Sequence, residues 1–277
     1  MMNISLERFF FYLSVPVAEM RNQPSSDAEV VSQAFFSEQI LLLEQRDGWI
    51  KIETCVDNYQ GWVKDGTFCK RSHPFPKKDG RYAVVTRNAA HLYRTKDTIY
   101  GPMATLPFES RLEVLSEDDH RWCSVALPDG RHAFIQKGDV CLNRGFLEAE
   151  EISALSMNFL GLPYTWGGRS SFGYDCSGFV QMLFRQRGIY LPRDSKDQFH
   201  WKELIAISPR EANPGDLVFF GKNEKKPCHV GMCLGGGRFI HACAVTENAP
   251  YIRINHLTDD AWNGSGYYPY CEAKTLF

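Results

Sequence analysis

The sequence has no surplus of charge of either sign: 31 Lys plus Arg face 33 Asp plus Glu, a formal net charge of −2. It therefore lacks the diffuse positive field that holds phosphate backbones, and nucleic acid is not an expected partner. Nor does any stretch approach the roughly 20 apolar residues that a bilayer-spanning helix needs. The run Phe9-Phe10-Phe11-Tyr12-Leu13-Ser14-Val15 is too short, and its flank of Glu7 and Arg8 too weakly positive, to resemble an export signal. The nine cysteines are odd in number and lack the regular spacing of a secreted disulfide framework. These absences lead to the expectation of a cytoplasmic protein, with a periplasmic or secreted one as the alternative. Metal is not expected either. Cys228, Cys233, His241 and Cys243 are soft ligands, but there is no Cys-x-x-Cys pair, and on a strand Cys228 points away from Cys233. His73, His91, His120, His132 and His200 have no partner pattern. No cofactor is implied.

What the chain does have is enough apolar content, 44% of 277 residues, for a sizeable core and more than one domain. Up to about residue 72, short apolar and β-branched runs (29–36, 39–43, 49–54) alternate with Asp47-Gly48 and Gln60-Gly61, the spacing of a small antiparallel barrel. The segment 73–80, rich in Pro and charge, reads as a linker. Residues 80–143 repeat the layout, with runs at 82–86, 111–115, 121–125 and 132–135 and a turn at Pro128-Asp129-Gly130. From about 147 to 277 helical patterns appear beside strands. Residues 148–160 place Ile152, Leu155 and Phe159 near one helical face, and a second helix runs from near Cys176 to the stop residue Gly188. Asn213-Pro214-Gly215-Asp216 launches a strand at 217–220, and residues 229–234 and 239–244 flank three glycines as a hairpin. Helices followed by an antiparallel sheet make this part α+β.

Cys176 stands where a glycine-rich stretch gives way to a helix. Unpaired N–H groups and the positive end of the helix dipole favour a thiolate there. Asp175 is placed to act as the N-cap. His229 and His241 are both odd-numbered, so an odd-length turn between their strands puts both on one face of the hairpin. His229 then serves as base and His241 orients it. A lone cysteine or a lone core histidine is also compatible with ordinary packing; the surrounding motifs decide between the readings.

Those motifs are Pro163-Tyr164-Thr165-Trp166-Gly167-Gly168, Asp175-Cys176-Ser177-Gly178, Leu191-Pro192-Arg193-Asp194-Ser195, Pro214-Gly215-Asp216-Leu217 and His229-Val230-Gly231-Met232. In this order they resemble the NlpC-type papain-like cysteine peptidases, and the two units in front resemble bacterial SH3-like barrels. The resemblance implies Cys176 as nucleophile, His229 as general base, His241 as third polar residue, and Tyr164 beside the thiol helping the oxyanion hole. It also implies a cut between γ-D-Glu and a diamino acid in peptidoglycan-derived peptides with a free N-terminal L-Ala. Asp175 and Tyr59 would hold that amine, Tyr59 with an acidic companion among Glu19, Glu29 and Glu38, while Ser177, Asp194 and Ser195 line the pocket. An endopeptidase on intact peptidoglycan and a non-catalytic wall-binding protein are the alternatives. The diamino acid and the oligomeric state are left open.

Overall fold

A computed structural model describes residues 9–77, 80–117, 119–223, 227–244, 250–260, 262 and 270–276. The chain divides into two compact units, Met1–Gly145 and Phe146–Phe277.

The first unit holds two seven-stranded antiparallel sheets. β1 to β7 are Phe10–Leu13, Val17–Arg21, Val30–Phe35, Gln39–Arg46, Trp49–Thr54, Gln60–Lys64 and Phe68–Arg71. β8 to β14 are Tyr82–Val85, Ala89–Tyr93, Ala104–Pro107, Arg111–Ser116, Trp122–Ala126, His132–Gln136 and Val140–Leu142. The first sheet runs β3-β2-β6-β5-β4-β1-β7 and the second β10-β9-β13-β12-β11-β8-β14, so each strand of the second lies where its counterpart seven strands earlier lies in the first. The repeated layout read from the sequence is thus a repeated topology. Local chemistry makes these strands: in β13 Ala133 and Ile135 are buried while His132 is exposed and Phe134 half-buried, the period-2 alternation of a one-sided sheet. Between β4 and β5, Asp47 and Gly48 both have positive φ (49° and 78°), the backbone of a two-residue hairpin turn.

The segment after β7 joins the two sheets and is docked at Phe75. Phe75 is buried, its N–H bonds to the Tyr12 hydroxyl at 2.9 Å, and Lys77 pairs with Glu113 of the second sheet at 3.3 Å. Phe36, in the turn after β3, belongs to the hydrophobic core of the second sheet. An aromatic ring and a salt-bridged lysine thus tie down a stretch whose composition alone suggests flexibility.

In the second unit, α1 (Ala149–Ser156) opens with a capping box between Glu148 and Glu151 and runs into a short 3-10 turn, Met157–Phe159. A two-residue ribbon, β15 (Arg169–Ser170) and β16 (Gly173–Tyr174), leads into α2 (Cys176–Arg185) and α3 (Ser195–Phe199). The strands β17 (Leu204–Ile207), β18 (Leu217–Gly221), β19 (Pro227–Gly235), β20 (Arg238–Cys243), β21 (Tyr251–His256) and β22 (Tyr270–Leu276) form one antiparallel sheet ordered β17-β22-β18-β19-β20-β21. Every residue of α2 from Cys176 to Phe184 is buried, packed on β19 and β20. Phe159, Tyr174 and Phe179 meet with ring centroids 5.7–5.9 Å apart, so the helix start is fixed by packing as well as by capping.

Candidate active site

The site forms where the first turn of α2 meets the middle of β19. The Asp175 carboxylate accepts the Gly178 N–H at 2.7 Å, closing the helix N-terminus. A Cβ on Gly178 would stand 2.3 Å from the Gly168 carbonyl oxygen, so the helix can press onto the glycine loop only because residue 178 has no side chain. Arg193, buried, grips the same carboxylate with both arms of its guanidinium, at 3.0 and 2.6 Å, and also reaches the Ser177 hydroxyl at 3.0 Å. The Ser177 hydroxyl in turn donates to Asp175 at 3.2 Å. Gln198 of α3 donates to the Ser177 carbonyl at 3.1 Å and the Pro192 carbonyl at 2.9 Å. The first turn of α2 and the 193–198 stretch therefore hold the residues on either side of the thiol.

Across from it, His229 Nε2 and His241 Nδ1 lie 2.7 Å apart, and both rings are buried. The two histidines share a face, as their parity predicts, but the turn does not supply the parity by itself. Gly235 pairs with Arg238 around a two-residue loop, and a register shift between Cys233 and Gly235 adds the odd residue. Met232 pairs with Ile240, so continuing that register sets Gly231 opposite His241 and makes the two imidazoles diagonal neighbours. A Cβ at Gly231 would approach the His241 Cβ to 3.2 Å and Phe239 to 2.8 Å. The glycine leaves the space the rings share.

His241 Nε2 continues to Asn255 Oδ1 at 3.0 Å, and Asn255 Nδ2 donates to Asp259 at 2.8 Å. Trp262, almost wholly buried, packs on both rings, with centroids 5.1 Å from His229 and 4.8 Å from His241. Arg193, Asn255, Asp259 and Trp262 had no assigned role from sequence. Only the alternation of β21 against β20 could have brought out Asn255, as a polar residue on the face that carries His241.

The electrostatics correct one expectation. Burial pushes the Cys176 thiol up to about 12, Asp175 adds to the rise, and the Val230 N–H, Arg193 and the Ser177 N–H pull the other way. Desolvation thus outweighs the helix terminus, and the resting sulfur is a thiol. Burial likewise holds His229 well below its ordinary value, helped by His241 and Arg253. It takes His241 down to about 3, against the Asn255 hydrogen bond. Both imidazoles are neutral at pH 7. Tyr164 has its phenol raised by burial, with Cys176 and Asp175 adding to the rise.

Of the other expected residues, Asp194 is the N-cap position of α3 and Ser195 its first residue, both half-buried. Tyr59 lies in the first unit, half-buried against the core of the first barrel. There Glu19 is paired with Arg21, Glu29 accepts from Asn22 at 3.4 Å, and Glu38 accepts the Phe35 N–H at 3.2 Å. Cys228 is exposed while Cys233 and Cys243 are buried.

Comparison with known proteins bears on the family and the fold. The NlpC/P60 family matches residues 161–265, and the bacterial dipeptidyl-peptidase Sh3 domain matches residues 20–66. A Gamma-D-glutamyl-L-lysine dipeptidyl-peptidase of Bacillus cereus is 28% identical over 238 residues, covering 81% of this chain and 70% of its own. One from Bacillus subtilis is 29% identical over 243 residues, covering 84% and 78%. The crystal structure of an NlpC/P60 family protein from Bacillus cereus shares the fold, with a TM-score of 0.83 over 97% of this chain and 99% of that one at 22% identity. The chain thus carries an NlpC/P60 domain, the fold of a cysteine-type hydrolase, behind a bacterial dipeptidyl-peptidase SH3 domain.

Proposed function

We propose that this protein hydrolyses the bond between γ-D-Glu and the following diamino acid in peptidoglycan-derived peptides, with Cys176 as nucleophile, His229 as base and His241 orienting that base. The observation that carries the chemistry is the pair of buried imidazoles, 2.7 Å apart, on the neighbouring strands β19 and β20 that pack against α2, the helix that Cys176 opens. Nucleophile, base and orienting group are the three parts that covalent acyl transfer requires. Two relatives named for γ-D-glutamyl-L-lysine support the substrate class.

Because the resting pair is thiol and neutral imidazole, the proton moves to His229 as the sulfur bonds to the γ-carbonyl carbon. The oxyanion is held by the Cys176 N–H, which has no partner within the helix, and by the Tyr164 hydroxyl. Collapse breaks the C–N bond, the imidazolium gives its proton to the departing amine, and water attacking the thioester regenerates the thiol. Buried Trp262 closes one side of both rings, keeping water from the neutral pair.

The free α-amine of L-Ala is part of the proposed specificity, as is action on released peptides in a cytoplasmic, reducing compartment. All nine cysteines are free thiols, which supports such a compartment, and no helix among the described residues is long and apolar enough to cross a membrane. Incubation with L-Ala-γ-D-Glu-L-Lys, its meso-diaminopimelate counterpart and their N-acetylated forms, read by mass spectrometry, tests the specificity. Release of L-Ala-D-Glu from the free peptides alone is expected. Equal cleavage of the acetylated forms removes the amine requirement and points to intact wall as substrate.

A further inference from the structure

The hydrogen bonds beyond His241 fix more than its position. His256 N–H and Asn255 Nδ2 both donate to the same oxygen of Asp259, at 2.9 and 2.8 Å. These two bonds keep Asp259 below the usual carboxylate range, so it is ionised and can only accept. The Asn255 amide must therefore turn its NH2 to Asp259 and its oxygen to His241. An oxygen acceptor at 3.0 Å demands a hydrogen on His241 Nε2. Each neutral imidazole has one N–H, so His241 Nδ1 is a lone pair. That lone pair, 2.7 Å from His229 Nε2, places the His229 hydrogen on Nε2. The remaining nitrogen of His229, Nδ1, is then the basic one.

Resting on the roles proposed above for Cys176 and His229, we infer that Asn255 and Asp259 are positioning residues that set the tautomers of His241 and His229, so that the base meets the thiol with a lone pair. With the opposite tautomers His241 would donate from Nδ1, and His229 would carry its hydrogen on Nδ1, unable to accept a proton there. The register suits this role. His241 pairs with Arg253 and Phe239 with Asn255, which makes Asn255 a diagonal neighbour of His241 on the same face of the sheet. Asp259 lies in the turn that follows β21, outside the hydrophobic core, and its side chain folds back onto the strand end.

The test combines nitrogen NMR of the imidazoles with kinetics on full-length protein. In the wild type both His229 and His241 are expected as Nε2–H tautomers. Asn255→Leu removes the acceptor at similar volume, and Asp259→Ala frees the amide to rotate. In either variant the Nδ1–H form should appear in both rings, and kcat should fall roughly 10²-fold with KM little changed. Asp259→Asn keeps an oxygen for the same two donors and should restore both the tautomers and most of kcat. Unchanged tautomers in Asn255→Leu and Asp259→Ala, or changed tautomers with undiminished kcat, would overturn the assignment. Should Asn255→Leu not fold, the contrast between Asp259→Ala and Asp259→Asn decides alone. Because the NMR signature needs no substrate, it stands even if γ-D-glutamyl peptides prove not to be cleaved, an outcome that counts against the proposed function instead.

Discussion

At the scale of single residues, the environment of Cys176 decides how the sulfur behaves before substrate arrives. A helix terminus favours the thiolate, but burial and Asp175 outweigh it and hold the thiol up to about 12. Inactivation by iodoacetamide should therefore accelerate about tenfold per pH unit between pH 7 and 10, following the thiolate fraction. A rate already level at pH 7 would mean a resting thiolate–imidazolium pair. Asp175 carries a second lesson. Its sequence position allows both N-cap and amine contact, but its carboxylate already receives Gly178, Ser177 and both arms of buried Arg193. Removing one partner of a buried, hydrogen-bonded pair costs about 3–5 kcal/mol. Asp175→Asn and Arg193→Met should thus lower the unfolding midpoint in urea substantially, whereas Ser195→Ala should move it little. An Asp175→Asn protein as stable as the wild type would show that this network does not hold the loop. The placing of Cys176 at a helix start and of His229 and His241 on one sheet face was legible from motif and strand parity. Arg193 and Asn255 were not, since their roles arise from contacts 18 and 14 residues away that no local pattern records.

At the scale of elements, the hairpin of β19 and β20 shows why parity was read correctly for an incomplete reason. Three consecutive glycines suggest an odd turn, while the chain uses a two-residue loop and a bulge in β19. Both arrangements set His229 and His241 on one face and Gly231 opposite His241. Gly231→Ala should then push the β20 strand or the His241 ring aside and cost about 1–3 kcal/mol through overpacking. Peptidase activity should fall further than that stability loss explains, because the imidazole pair separates. Thermal unfolding and steady-state kinetics on one preparation check this; full activity in the alanine variant would place the rings elsewhere. Helix α2 was legible in its start and approximate end, from the Asp-Cys-Ser-Gly run and Gly188. The segment 73–80 reads as a linker from its charge and proline, a composition that does not record the docking of Phe75.

At the scale of the whole molecule, the two barrels of the first unit share one strand order although their sequences agree in layout rather than residue identity. The layout was legible because turn residues recur at regular spacing. Stability of the whole chain should also depend on the neutral histidines. The unfolded chain takes up protons at these two rings below about pH 6.5, while folded His241 resists until about 3 and His229 also stays neutral well below 6.5. The unfolded state then binds more protons, so stability falls as pH drops from about 6.5, by roughly 1.4 kcal/mol per unit for each ring. A melting series from pH 7 to 4 should show that slope, and His241→Gln should make it shallower; an unchanged slope would mean that His241 titrates normally. The central claim is covalent catalysis at Cys176. Its most direct test is to quench the protein during turnover of L-Ala-γ-D-Glu-L-Lys in acid and map the adduct by mass spectrometry. An Ala-Glu acyl group on the peptide carrying Cys176, absent from Cys176→Ala, is the predicted result; cleavage that continues in Cys176→Ala would contradict it.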